Sequence, residues 1–229
     1  MRRYLAAALL LLAVIAGAAY VGDNYDASDA ARTAMQHGVH YGHAQAFVPE
    51  EIRAGLIFYP GGKVDHAAYA PLMLALRDRG ILSLLVDMPL DLAVLDMKAA
   101  DGLRQLYPQV ERWMIGGHSL GGAMAASYLS DHTDEYDALV LLGAYSTADL
   151  SRTNLSVLSV YGTQDGVLNR EKYEKCRGNY PQQFVEVVIE GGCHAYFGDY
   201  GEQKGDGAAS ISREAQIEQT ADAIEALLK

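Results

Sequence analysis

Six short apolar runs recur after residue 50: GLIFY at 55–59, ILSLLVDM at 81–88, RWMIGG at 112–117, ALVLLGA at 138–144, LSVLSVYG at 155–162 and FVEVVIE at 184–190. Most show little polar alternation, the pattern of strands covered by helices on both faces of a parallel sheet. Between them the spacing predicts helices near 66–79, 91–106, 120–131, 169–177 and 212–228; in the last, Ile217, Ala221, Ile224 and Leu228 recur at helical intervals. The fold class that follows is α/β, a doubly wound, mostly parallel sheet. No insertion between strands is long enough to make a cap domain.

A chain of 229 residues, 50% hydrophobic and 21% charged, suits one compact domain. Its net charge of -11, without any Lys/Arg run, argues against nucleic acid and anionic membrane surfaces as partners. A small neutral or cationic molecule fits better. At the N-terminus Arg2 and Arg3 precede an uncharged apolar run over residues 4–21. That run reads either as a signal peptide, with Ala16, Gly17 and Ala18 as a small-x-small cleavage pattern, or as a retained anchor. As a helix it would span roughly 27 Å. Either reading sends the protein out of the cytoplasm, to the periplasm or beyond, or leaves it attached to a membrane and facing outward. The expected organisation is therefore 1–22 as signal or anchor, 23–49 as a polar N-terminal extension, and 50–229 as the folded domain.

Chemistry concentrates in RWMIGGHSLGGAMAASYL, where Gly117-His118-Ser119-Leu120-Gly121 joins an apolar strand to an Ala-rich helix. This is the strand-turn-helix setting of a nucleophile elbow, whose flanking glycines make room for a tight turn that lifts Ser119 above the sheet. Such a serine needs a carboxylate and then a histidine on loops after later strands. His132 lies in the polar SDHTDEYD segment, so His194, delivered by FVEVVIEGG, is the candidate base. Asp165, directly after LSVLSVYG in a Gly-bounded turn, is the candidate acid. The backbone amide of Leu120 is one expected oxyanion donor; the PGGK loop at 60–63 supplies the second, from Gly62 or its neighbour Lys63.

With Ser119, Asp165, His194 and the YPGG loop, the chain resembles the α/β-hydrolase superfamily over roughly residues 50–229. Its wording, including GLIFYPGGKV, GGHSLGGAMAA and EGGCHAYFGDYG followed by GDGAASIS, is similar to small, lidless bacterial α/β-hydrolases, some of them dienelactone-hydrolase-like. That subfamily typically carries Asn where Cys193 stands and Gln where Tyr196 stands. Dienelactone hydrolases use cysteine at the elbow, so their substrate does not transfer to a chain with Ser119. The resemblance implies a serine hydrolase. The expected activity is cleavage of a small carboxylic ester or thioester through an acyl-enzyme, with no metal and no cofactor. Two alternatives stay open: an acyltransferase on the same triad, and a non-catalytic envelope binding protein.

His37, His40 and His43 are spaced by three, but Gly38 and Gly42 disfavour the helix that would gather them, and they read as a surface strand or loop. His66 and His118 sit beside the site without a catalytic role, and Asp87 reads as a turn carboxylate. Tyr196 and Phe197 are candidate pocket walls. Cys176 and Cys193, an even count in an exported chain, are a candidate disulfide.

Overall fold

A computed structural model of the protein describes residues 24–229. The apolar run at 4–21, with its signal and anchor readings, lies outside the described residues. Among those that are described, no helix is long and apolar enough to cross a membrane.

All six apolar runs are strands: β3 (Ala54–Tyr59), β4 (Ile81–Val86), β5 (Trp113–His118), β6 (Ala138–Leu142), β7 (Ser156–Gly162) and β8 (Phe184–Ile189). Two short strands precede them, β1 (Val39–Tyr41) and β2 (Ala44–Phe47). The eight form one sheet in the order β1-β2-β4-β3-β5-β6-β7-β8. The six later strands run parallel, whereas β1 pairs with β2, and β2 with β4, antiparallel. The segment expected as an extension at 23–49 is thus woven into the sheet.

Alternate residues of the central strands feed two cores. Leu56 and Phe58 of β3 face one, with Ala31 of α1 (Asp29–Met35), Leu72 and Met73 of α2 (Ala70–Arg77), and Ile217, Ala221 and Ile224 of α5 (Arg213–Ala226). Ile57 and Tyr59 face the other, against Ala125, Ala126 and Leu129 of α3 (Leu120–Leu129). These positions are buried, and each large apolar side chain so placed contributes roughly 1.5–3 kcal/mol. The fourth helix, α4 (Arg170–Cys176), starts at Asn169, whose side chain accepts from the Lys172 N–H.

The helix expected over 91–106 does not form; three short 3-10 turns, Pro89–Asp91, Ala93–Leu95 and Arg104–Leu106, take its place. Pro89 is followed by Leu90 and Asp91 in left-handed backbone (φ 53° and 54°), and Gly102 at φ 81° interrupts the chain again. A helix cannot propagate through such residues.

Candidate active site

Every residue singled out for chemistry lies just past the carboxyl end of a parallel strand, the edge where open α/β sheets bind ligands. Ser119 follows β5 in strained backbone, φ 53° and ψ -122°. Two glycines allow this turn. A Cβ on Gly117 would stand 2.3 Å from the Tyr59 carbonyl oxygen, and one on Gly121 would stand 2.2 Å from that of Pro60. The Leu120 N–H, at the first position of α3, has no intrahelical acceptor.

The Asp165 and His194 side chains are fully buried and meet at 2.9 Å, Nδ1 to Oδ2. The other carboxylate oxygen of Asp165 accepts the Val167 and Leu168 N–H groups at 3.0 and 2.8 Å, which orients it. A carboxylate accepts only, so His194 Nδ1 carries the proton and Nε2 presents its lone pair. That Nε2 is buried without a hydrogen-bond partner among the described residues. Ser119 and His194 line one cavity of about 280 Å³ with Leu120, Gly143, Tyr145 and Leu168. In this conformation no hydrogen bond joins the serine hydroxyl to the imidazole.

Gly143, at the end of β6 with φ 52°, makes the pairing sterically feasible. Its missing Cβ would come within 2.8 Å of His194 Nδ1 and 3.1 Å of Asp165 Oδ2.

The 60–63 loop assigns its amides one by one. The Gly61 N–H donates to the Tyr69 hydroxyl at 2.9 Å, and the Lys63 N–H to the Asp91 carbonyl at 2.8 Å. Only the Gly62 N–H between them makes no hydrogen bond among the described residues, and a Cβ there would press on the Leu120 side chain at 2.8 Å. The amides of Gly62 and Leu120 are therefore the two left unspent where these loops meet.

Behind the elbow, the Tyr69 hydroxyl already accepts from Gly61, so it donates to His118 Nδ1 at 2.8 Å. The His118 and His194 rings lie 4.4 Å apart, tilted by 48°. Burial, and then the neighbouring His194, hold His118 well below the usual histidine range, so it is a neutral packing residue.

Two supports left no signal in the sequence. Asp206 accepts the His194 N–H at 3.1 Å and the Ala195 N–H at 2.8 Å, and also the Gly166 N–H at 3.1 Å, tying the histidine loop to the aspartate loop. From α5, the buried Gln216 accepts the Cys193 N–H at 3.0 Å and donates to its carbonyl at 2.7 Å. Both act across stretches of chain with no local pattern to advertise them.

Other expectations resolve differently. Cys176 and Cys193 are free thiols. Cys193 is buried in the core that contains Ile217, whereas Cys176 ends α4 and belongs to neither core. Burial, reinforced by the Asp206 charge, pushes the Cys193 thiol up to about 12, which makes it unreactive. Tyr196 and Phe197 do not wall the Ser119 cavity. Tyr196 lies beneath the Arg213 guanidinium at 4.7 Å, and Phe197 is buried in the core. His66 faces Asp87 at 3.4 Å. His43 Nε2 donates to the Ala99 carbonyl, and among the described residues no group of His, Cys, Asp and Glu could hold a metal ion.

The family described as alpha/beta hydrolase matches residues 55–218. No curated protein matches. Among solved structures, the chain is similar to the esterase domain of a Rhodothermus marinus protein (14% identity, TM-score 0.60, covering 80% of this chain and 90% of that one). It is also similar to a Paleococcus ferrophilus monoacylglycerol lipase (14%, TM-score 0.59, 80% and 100%) and to a dienelactone hydrolase from Anabaena variabilis (15%, TM-score 0.56, 82% and 95%). At these identities the likeness is one of fold.

Proposed function

Because the chain belongs to the alpha/beta hydrolase family, we propose that it is a serine hydrolase that cleaves small carboxylic esters or thioesters through an acyl-enzyme. The observation that carries this reading is the Asp165–His194 bond, which leaves an unpartnered imidazole nitrogen buried at a cavity that Ser119 also lines. In the reaction, Ser119 Oγ rotates toward His194 and bonds to the substrate carbonyl carbon while its proton passes to Nε2. The carbonyl oxygen becomes an oxyanion held by the Leu120 and Gly62 N–H groups, aided by the positive end of α3. Collapse breaks the bond to the leaving alcohol or thiol, which takes the proton from His194. Water, deprotonated by the same nitrogen, then releases the acid and restores Ser119. Asp165 stays ionised throughout and stabilises the imidazolium.

A cavity of about 280 Å³ suits an acyl or alcohol group of modest size. The Arg2-Arg3 start and the apolar run at 4–21 support export, with that run either cleaved or kept as an anchor. A fluorophosphonate probe tests the proposal. Labelling of the wild type that disappears in Ser119→Ala is expected; no labelling at any pH between 6 and 9, or labelling unchanged in Ser119→Ala, overturns it.

A further inference from the structure

Among the described residues, several of the large apolar side chains left in solvent cluster in the loop after β4: Leu90, Val94, Leu95 and Met97 are 60%, 52%, 55% and 41% exposed. The first of them sits in strained backbone. Leu90 and Asp91 are both left-handed, a conformation costly for a branched side chain and sustained only where the surroundings impose it. The loop is pinned to the 60–63 loop by the Lys63 N–H to Asp91 carbonyl bond, and residues 93–95 pack on α3, the helix that opens at Leu120. The exposed lip therefore flanks the Ser119 cavity on the same edge of the sheet.

The start of the described chain lies on this lip as well. Asn24 Nδ2 donates to Asp91 Oδ2 at 2.7 Å, one residue from Leu90. The apolar run ends at residue 21, three residues earlier. At no more than about 3.6 Å per residue, three residues of chain reach roughly 11 Å at most. If the run is kept in a bilayer, the lip cannot be far from its surface. Asp87, Asp91 and Asp96 flank the apolar side chains, and the net charge is -11, so the surface it suits is zwitterionic rather than anionic.

We propose that Leu90, Val94, Leu95 and Met97 rest on the bilayer that holds residues 4–21, so that the Ser119 cavity opens at the membrane surface and takes amphiphilic esters dissolved there. The inference rests on the hydrolase reading for its substrate and on retention of residues 4–21 for its geometry.

The lipid contact is tested without catalysis. The full chain carrying Leu95→Trp is reconstituted in phosphatidylcholine vesicles with and without brominated acyl chains. Val185→Trp, on the far edge strand β8, serves as control; the native Trp113 is buried and gives a constant background. Emission from Leu95→Trp should fall at least twofold in brominated lipid, with little change for Val185→Trp. Equal quenching at both positions, no quenching at Leu95→Trp, or failure of the full chain to float with vesicles overturns the proposal. Catalysis is read separately. Leu90→Asp combined with Leu95→Asp should lower hydrolysis of a long-chain ester in the vesicles at least tenfold and leave a short soluble ester within twofold; equal loss on both overturns it. A wild type inactive on both esters, with Leu95→Trp still quenched, sinks the hydrolase reading and leaves the lipid contact standing.

Discussion

The loop that carries His194 and the loop that follows β4 leave the same edge of the sheet and are built by opposite means. In the first, the polar groups are partnered from elsewhere: Asp206 gathers N–H groups from two loops, Gln216 brackets Cys193, and Asp165 fixes the ring. In the second, a few backbone bonds and two left-handed residues present apolar side chains to the surroundings. The contrast teaches that proton transfer demands a geometry set within fractions of an ångström, whereas contact with an amphiphile demands surface and little else. Substitutions in the two loops should therefore fall into separate classes.

The largest effect belongs to the site itself. Ser119→Ala should lower kcat/KM on an activated short-chain ester by about 10⁴-fold or more, with thermal stability unchanged; the same assay on Leu95→Ala should stay within twofold, and a comparable loss there would break the comparison. Next comes Asp206→Asn, which places an amide donor against N–H groups that need an acceptor. A loss of about 100-fold in kcat is expected, with a matching slowdown in fluorophosphonate labelling. A variant that labels at the wild-type rate would show that the clamp is not needed to position His194.

Gln216→Leu should cost about 2 kcal/mol in urea unfolding, because it strands the buried N–H and C=O of Cys193; it sharpens the comparison if the 87–97 loop shows no substitution of similar cost. His118 adds a pH dependence. Its folded pKa is depressed, so the unfolded chain binds the extra proton, and this contribution to stability is fully present above about pH 6.5 and is lost as the pH falls from there toward the folded value, by up to about 1.4 kcal/mol per pH unit. Denaturation at pH 7.5 and 5.5 should show the slope in the wild type and a flatter one in His118→Phe. The smallest effect is expected in the other loop. Leu90→Gly relieves a left-handed leucine at about 1–2 kcal/mol but frees the unfolded chain by about 0.4–1 kcal/mol, so chemical denaturation should show a net gain of about 0.5 kcal/mol.

The same division marks what could be read from the residues alone. The strands were legible because continuous apolar runs have few alternatives, and Ser119, Asp165 and His194 stood out because chain order and strand ends restrict where each can sit. That the Lys63 N–H is engaged by the Asp91 carbonyl, while the Gly62 N–H is not engaged among the described residues, is a contact between loops and was not legible. A helix over 91–106 was expected from the spacing, but Pro89 and the backbone of Leu90 and Asp91 decided otherwise. β2 was missed, and β1 was read only as a surface strand or loop around His40, because strands of three and four residues, VHY and AQAF, carry little period. Asp206 and Gln216 were missed for a deeper reason: a residue that works by accepting another segment's amide has no signature in its own neighbourhood. The Cys176–Cys193 pairing failed because parity of count says nothing about where in the fold each thiol lies.

Gly143 sets a boundary on how this enzyme can change. The His194 nitrogen and the Asp165 oxygen that meet at 2.9 Å leave no space beside them for even a methyl group. Every single-base change of a glycine codon that alters the residue adds a side chain, and all of them collide with that bond. Laboratory evolution can reshape the 87–97 lip freely in search of new substrates, but position 143 is closed to it, and a library that randomises this codon will return the parent.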